Sequence, residues 1–186
     1  MLLKKVDLCY NVAMKIIIAS DLHGSYYYTA QLIEKFHSLK ADKLVLLGDI
    51  LYHGPRNDLP KEYSPQKVFS ALNEIAQSII CVRGNCDAEV DDMVLDFDVL
   101  TPERSLTCSG VTMHFTHGHN YSFDNPPAFA KEGDVVLSGH THVPLDKVKN
   151  GVRFLNPGSI SIPKENSAHS FIVFENGDFS FESLKD

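Results

Sequence analysis

The chain is short of cysteine, of long apolar runs and of basic charge, and each shortage removes a class of protein. Four cysteines in 186 residues, Cys9, Cys81, Cys86 and Cys108, have no CxxC spacing and are too few for a disulfide framework. They suit a reducing, cytoplasmic compartment. No stretch approaches the ~18 consecutive apolar residues of a membrane span, so no membrane partner is expected. The opening MLLKKVDLCYNVA has two lysines but lacks the continuous apolar core, about 7 to 15 residues long, of a secretory signal. A formal net charge of -7 leaves no broad footprint for duplex nucleic acid, although bound metal ions could still create a local phosphate site. Internal repeats, low-complexity tracts and linkers are missing too.

What remains is one globular domain. A hydrophobic fraction of 44% with 22% charged residues supports a single substantial core. The first strand signal begins at Lys15, so residues 14–186 are expected to form the domain, with residues 1–13 a short N-terminal extension or an upstream start. Lys15 to Ser20 (KIIIAS) is a β-branched run, and SYYYTAQLIEKFHSL after it sets Tyr28, Leu32, Phe36 and Leu39 at helical spacing. Lys43 to Leu47 is a second strand. Ser64 and Pro65 supply an N-cap and a first-turn proline for a helix carrying Val68, Leu72, Ile75 and Ala76, and Ile79 to Val82 makes a third strand. The first half therefore reads β-α-β-α-β with neighbouring parallel strands. In the second half Val111 to Thr116 alternates apolar and polar residues, and Cys108-Ser-Gly-Val111, Asn150-Gly151 and Asn176-Gly177 are turn or hairpin signals. One short helix is expected near Pro127 to Lys131. The economical architecture is α/β, two packed sheets with helices outside.

Polar groups gather just past the strand ends. Asp21-Leu22-His23 follows the first strand, Gly48-Asp49 the second and Gly84-Asn85-Cys86-Asp87 the third. His117-Gly118-His119 follows the alternating strand, and Gly139-His140-Thr141-His142 follows Asp134 to Ser138. Loops beyond the carboxyl ends of parallel strands are where open α/β sheets collect ligand sites. Carboxylates, imidazoles and an amide oxygen suit divalent metal and require no thiolate. Seven candidate ligands exceed the four of a closed zinc site, and a shared carboxylate is how hydrolases hold two ions ~3.5 to 4 Å apart. His37, His114 and His169 read as ordinary surface or core residues. His119 is either a supporting or substrate contact or a plain loop residue. Arg83 reads as ion-paired. Arg56, in the loop from Leu51 to Ser64, is either part of a solvated connection or a binder of phosphate oxygens through its planar fork. Asn156-Pro-Gly-Ser159 reads as a tight turn near the site.

Taken in order, Asp-x-His, Gly-Asp, Gly-Asn-x-Asp, His-Gly-His and Gly-His-Thr-His resemble the calcineurin-like metallophosphoesterase superfamily, from Met14 to the C-terminus. GDILYHGPRNDLP, RGNCD and NPGSISIPK bring the chain nearest to the YfcE-type branch of small bacterial phosphodiesterases. The resemblance implies the αββα sandwich of the metallophosphatase fold, two packed mixed sheets flanked by helices. It implies two divalent ions, Mn²⁺ as first choice and Fe²⁺, Ni²⁺ or Zn²⁺ as alternatives. Asp21, His23 and His142 would hold one ion, Asn85, His117 and His140 the other, and Asp49 would bridge them. Two divalent ions less the charges of Asp21 and Asp49 leave an excess that a bridging hydroxide and a small diester monoanion would balance. The hydroxide would be the nucleophile. The resemblance leaves room for a homo-oligomer, dimer or tetramer.

RGNCD departs from the superfamily's usual Gly-Asn-His-Asp/Glu. Cys86 stands where a histidine assists the leaving group or binds phosphate, and Asp87 shapes the loop or orients a neighbour. A thiol of ordinary pKa, about 8.5, is neutral and offers no imidazolium charge. Attack by the hydroxide does not depend on position 86. Phosphodiester hydrolysis is therefore expected to survive, restricted to good leaving groups, with Asp49, Asn85, Cys86, Asp87 and His117 as catalytic residues and Arg56, Asn85 and His119 toward the substrate. Three rivals share the fold. A metal-stabilised interaction scaffold is one, since the retromer subunit of this fold lacks that histidine. A nuclease would need a basic groove that the sequence does not contain. A phosphomonoesterase would have to accept a dianion without the histidine.

Overall fold

The computed structural model of the chain describes residues 14–185 and the backbone of Val6–Leu8, which forms strand β1. The reading of residues 1–13 as an extension otherwise lies outside the described residues. In β2 (Lys15–Ala19), Ile16, Ile17, Ile18 and Ala19 are all fully buried, because both faces of the strand are covered. Strand alternation sends them two ways. Ile16 and Ile18 join Val45, Leu47, Ile172 and Phe174 in a core between two sheets, with Met113, Phe115, Leu137 and Leu155 opposite. Ile17 and Ala19 join Leu44, Leu46, Phe171 and Val173 against the helices.

Those helices are α1 (Tyr26–Ser38), which buries Tyr28, Leu32 and Phe36, and α2 (Pro65–Asn73), which buries Val68 and Leu72. Leu39 follows α1 as its C-cap. Pro65 opens α2 as the sequence leads one to expect, but Ser64 makes no side-chain cap. Its backbone is committed instead beside the Ser25–Tyr63 bridge, where Ser64 N–H donates to the Gly24 carbonyl. The helix also stops early, so Ile75 and Ala76 fall in and before a 3₁₀ turn at Ala76–Ser78. A four-residue helix, α3 (Glu89–Asp92), was not expected. Its signal is Asp91, whose Oδ2 accepts the Ala88 N–H at 2.8 Å.

The parallel order of β2, β3 (Lys43–Leu46) and β4 (Ile79–Cys81) is as read from the sequence. The remaining strands are β5 (Glu103–Cys108), β6 (Val111–Thr116), β7 (Val135–Leu137), β8 (Leu145–Lys149), β9 (Val152–Asn156), β10 (Ser170–Glu175) and β11 (Asp178–Ser183). They build a five-stranded sheet in the order β11-β10-β2-β3-β4 and a six-stranded sheet in the order β1-β5-β6-β7-β9-β8, both mixed. The hairpins β5–β6, β8–β9 and β10–β11 turn at Ser109-Gly110, Asn150-Gly151 and Asn176-Gly177, each pair left-handed throughout, as type I′ turns require. The expected helix at Pro127 to Lys131 is a turn, held by one bond from Ala130 N–H to the Pro127 carbonyl. So short a segment, with prolines at 126 and 127, cannot repay helix nucleation. The outer face of the six-stranded sheet, with Val136, Val152 and Phe154, is covered there by Phe123 and Ala130. His114 and His169 are structural, tied to Ser105 and Asp134 and to Tyr28 and Ile160 respectively.

Strands β2, β3, β4, β6 and β7 all end at one edge, where their loops must be locked together. Asp87 does much of this. Its Oδ2 accepts the backbone N–H groups of Asp49 at 2.9 Å and Gly84 at 2.7 Å, and its Oδ1 accepts that of Ile50 at 2.8 Å. Burial pushes this carboxyl up to about 6, offset in part by the N–H groups of Ile50 and Gly84. Asp87→Ala would leave three buried donors without partners, so chemical denaturation should reveal a loss of about 3 kcal/mol or more in unfolding free energy.

Candidate metal centre

Five of the seven expected ligands sit in the left-handed region that L-residues avoid: Asp21 (φ 57°), His23 (47°), Asp49 (56°), His140 (68°) and His142 (62°). Backbone bonds hold them there. His23 N–H donates to the Asp49 carbonyl at 2.9 Å and Asp21 N–H to the Gly48 carbonyl at 3.2 Å. The hydroxyls of Ser159 and Ser161 both donate to the Asp21 carbonyl at 2.8 Å, and Asn156 Nδ2 donates to the Gly139 carbonyl at 2.8 Å. The NPGSIS segment therefore acts as a brace between loops, the geometric role expected of its turn. Two glycines permit the close approach. A Cβ on Gly84 would collide with Asp49, and one on Gly139 with Ser20 and Asp21.

Three imidazoles are oriented in the same way. His23, His117 and His142 each place Nδ1 against a backbone carbonyl: Tyr52 at 2.8 Å, Leu47 at 2.7 Å and Ile162 at 2.7 Å. A nitrogen facing a carbonyl must carry the proton, so in the neutral ring Nε2 is the lone pair, and all three Nε2 atoms aim inward. There they meet other acceptors. His23 Nε2 lies 3.2 Å from His142 Nε2, and His142 Nε2 lies 3.2 Å from Asp21 Oδ1. His117 Nε2 lies 3.0 Å from Asn85 Oδ1 and 3.2 Å from His140 Nδ1. Asp49 Oδ2 lies between the two groups, 3.7 Å from His23 Nε2 and 3.5 Å from His117 Nε2, while its Oδ1 accepts the Cys86 N–H at 2.8 Å. A proton can reconcile one such pair. It cannot reconcile all of them, whereas cations can. Spacings of this size match neighbouring donors around an ion with bonds of about 2.1 Å.

Two further facts fit divalent metal. Asp21 Oδ1 is buried with no hydrogen-bond partner, an arrangement that is costly unless a cation lies beside it. Asp21 with His23 and His142, and Asp21 with Asp49 and His117, also form groups whose ligand atoms could share an ion. The charge balance of the bare site points the same way. Burial opposes ionisation of Asp21, but the adjacent imidazoles of His142, His23 and His117 hold its carboxyl well below the usual range. Burial also works against a charged His23, yet Asp21, the Tyr52 carbonyl and Asp49 outweigh it and raise the imidazole. The pocket attracts positive charge. Burial, then the neighbouring His117 imidazole, lowers His119 and His140.

A cleft of about 310 Å³ opens over these atoms, lined by His23, Asp49, Asn85, Cys86, His140 and His142, with Arg56 and Lys164 at its wall. No hydrogen bond or ion pair among the described residues engages the Arg56 guanidinium or the Lys164 ammonium. Arg56 lies on the wall of this cleft. Lys164 was overlooked: it ends NPGSISIPK, and its backbone N–H donates to the His142 carbonyl at 3.1 Å. Arg83, by contrast, pairs with Glu89. His119 lies at the rim, its ring 5.5 Å from that of His117 and its Nε2 beside Asn120. Cys86 is half-buried, and its Sγ accepts from Asn85 Nδ2 at 3.3 Å, an orientation that turns Asn85 Oδ1 toward His117. Burial, reinforced by the Asp49 charge, pushes the Cys86 thiol up to about 12.

Comparison with known proteins gives this geometry a family. The calcineurin-like phosphoesterase superfamily domain matches residues 14–178. The chain is 43% identical over 173 residues to phosphodiesterase YfcE of Escherichia coli strain K12, covering 93% of this chain and 94% of the relative. It is 26% identical over 166 residues to a probable metallophosphoesterase, YsnB, of Bacillus subtilis strain 168, covering 86% and 83%. A solved structure of the Escherichia coli YfcE phosphoesterase superposes with a TM-score of 0.88 at 42% identity, covering 91% of this chain and 93% of that one. The metallophosphatase fold and the family's divalent metal chemistry thus agree with the acceptor-lined site. The chain belongs to the calcineurin-like phosphoesterase superfamily.

Proposed function

We propose that the chain is a metal-dependent phosphoric diester hydrolase with a two-ion centre. The observation that carries this reading is the convergence of imidazole, carboxylate and amide oxygen donors on one another beneath a cleft whose two cationic side chains have no partner among the described residues. Asp21, His23 and His142 are assigned to one ion, Asn85, His117 and His140 to the other, and Asp49 to both. The mixed oxygen and nitrogen donors suit Mn²⁺ first, with Fe²⁺, Ni²⁺ or Zn²⁺ able to take the same positions. When bound, the ions supply Lewis acidity that neutralises phosphate charge and generates the nucleophile from water. A phosphodiesterase relative at 43% identity supports the diester as substrate class. Free thiols at Cys81, Cys86 and Cys108 suit a reducing compartment such as the cytoplasm.

The chain's own residues divide the remaining work. Arg56 is placed to bind nonbridging phosphate oxygens through its fork, and Lys164 adds charge on the same wall. The carbonyls of Leu47, Tyr52 and Ile162 keep the ligand imidazoles in one tautomer and orientation. Cys86 lines the cleft but holds its proton through the neutral range, with neither the charge nor the acidity of an imidazolium. Esters that depart as stabilised phenolates need no proton. Alkoxides do, and the chain offers them little help.

His117→Ala or Asn85→Ala should stay folded, lose one ion per chain by elemental analysis, and lose about 100-fold or more in turnover of bis(4-nitrophenyl) phosphate. Full activity in either variant would overturn the second ion's assignment. Chelation should lower thermal stability, by about 2.7 kcal/mol for each ion removed, relative to metal present at a hundredfold excess over its Kd. A panel of aryl diesters, aryl monoesters, cyclic nucleotides and single-stranded nucleic acid with Mn²⁺, Mg²⁺, Ni²⁺ and Zn²⁺ should give turnover first with aryl diesters. Silence in every combination, with two ions bound, would favour a scaffold. Cys86→His should raise kcat/KM for alkyl leaving groups more than for aryl ones; equal changes on both, at unchanged metal content, would remove the leaving-group argument.

A further inference from the structure

Beside the polar cleft lies a second depression of about 390 Å³ whose wall is almost wholly apolar. Tyr52, Tyr63, Phe69, Val90 and Val94 form it, and Cys86 lines both it and the cleft. Its one acidic neighbour, Asp91, spends Oδ2 on the Ala88 N–H. Apolar groups here are left in water at a cost: Val90 is 63% exposed, Tyr52 42% and Val94 37%. The groove is also tied to the ligands, since the Tyr52 carbonyl that orients His23 belongs to a residue whose ring lines the groove. Half-buried and lining both spaces, the small Cys86 side chain is a low sill between them.

Resting on the phosphodiesterase reading, we infer that this groove is the subsite for an aryl or similarly flat apolar ester group of the substrate. The phosphate lies in the cleft with Arg56, and the apolar group crosses Cys86 into the groove. Volume and lining suit such a group, because ligand sites of 300 to about 1,000 Å³ are typically aromatic and aliphatic with few polar anchors. The preferred substrates are then diesters carrying at least one planar apolar alcohol, and the groove selects them by burial rather than by hydrogen bonding.

Two ligands that cannot be hydrolysed test this, 1-naphthylphosphonate and methylphosphonate, added to the Zn²⁺-loaded full chain and followed by methyl NMR. The naphthyl compound should shift the Val90 and Val94 methyls while the methyl compound should not. Val90→Glu should weaken the naphthyl compound about tenfold and leave methylphosphonate within about twofold. Val90→Ser serves as the milder variant if the charge disturbs α3. Shifts confined to the cleft, or equal affinities before and after Val90→Glu, would overturn the subsite. A change in oligomeric state with naphthyl affinity unaltered would overturn it too, in favour of an interface between copies. Absence of bis(4-nitrophenyl) phosphate turnover with every metal would instead defeat the diesterase reading itself.

Discussion

Acceptors facing acceptors at about 3 Å are the constraint around which this molecule is built. Left alone, Nε2 of His23 and His142, or His117 Nε2 and Asn85 Oδ1, would turn apart. The imidazoles of His23, His117 and His142 are prevented from doing so by their bonds to backbone carbonyls, which belong to Tyr52, Leu47 and Ile162, next to well-packed core. The five left-handed ligand backbones add strain of about 1 to 3 kcal/mol each. Only a surrounding structure that over-determines these positions can hold them. Here that structure is the doubly buried isoleucine strand and the two sheets packed through Phe115, Leu155 and Phe174. Metal binding at these atoms would therefore be coupled to folding, since a cation would remove the repulsion that the core otherwise has to contain.

The residues that hold the site in shape are different from those that face the cleft. Asp87 gathers the loops after β3 and β4 through three N–H groups, and it points into those loops rather than toward Cys86. Ser159, Ser161 and Asn156 do the same for the loops after β2 and β7. Such residues act through backbone position. Their loss would be felt first as stability and ligand alignment, and the chemistry would suffer second.

How much of this could be read from the sequence depends on range. The β-branched run at Lys15, the helical spacing of Tyr28, Leu32 and Phe36, and the Asn-Gly hairpins are local signals, and the corresponding elements formed. The ordered motifs brought Asp21, His23, Asp49, Asn85, His117, His140 and His142 to one edge because parallel strands share a direction. What failed was local in another sense. The turn at Pro127 was too short and proline-rich for a helix, and Ser64 was claimed by a bridge to a distant residue, Gly24. Lys164 and the groove residues Tyr52, Phe69 and Val90 could not be found from spacing, because only tertiary packing puts them beside Cys86.

Cys86 then has a meaning that neither the sequence motif nor the cleft supplies alone. An imidazolium at that position would add positive charge next to Arg56 and Lys164 and would favour a dianionic monoester. A thiol is never cationic and adds none, so on the proposed reading the cleft is balanced for a monoanion, the charge of a diester. The same substitution lowers the wall toward the apolar groove and makes it less polar. A diester differs from a monoester in two respects: one charge fewer and one organic group more. On the proposed reading Cys86 would answer to both, by withholding a charge on the cleft side and by bordering the apolar groove on the other.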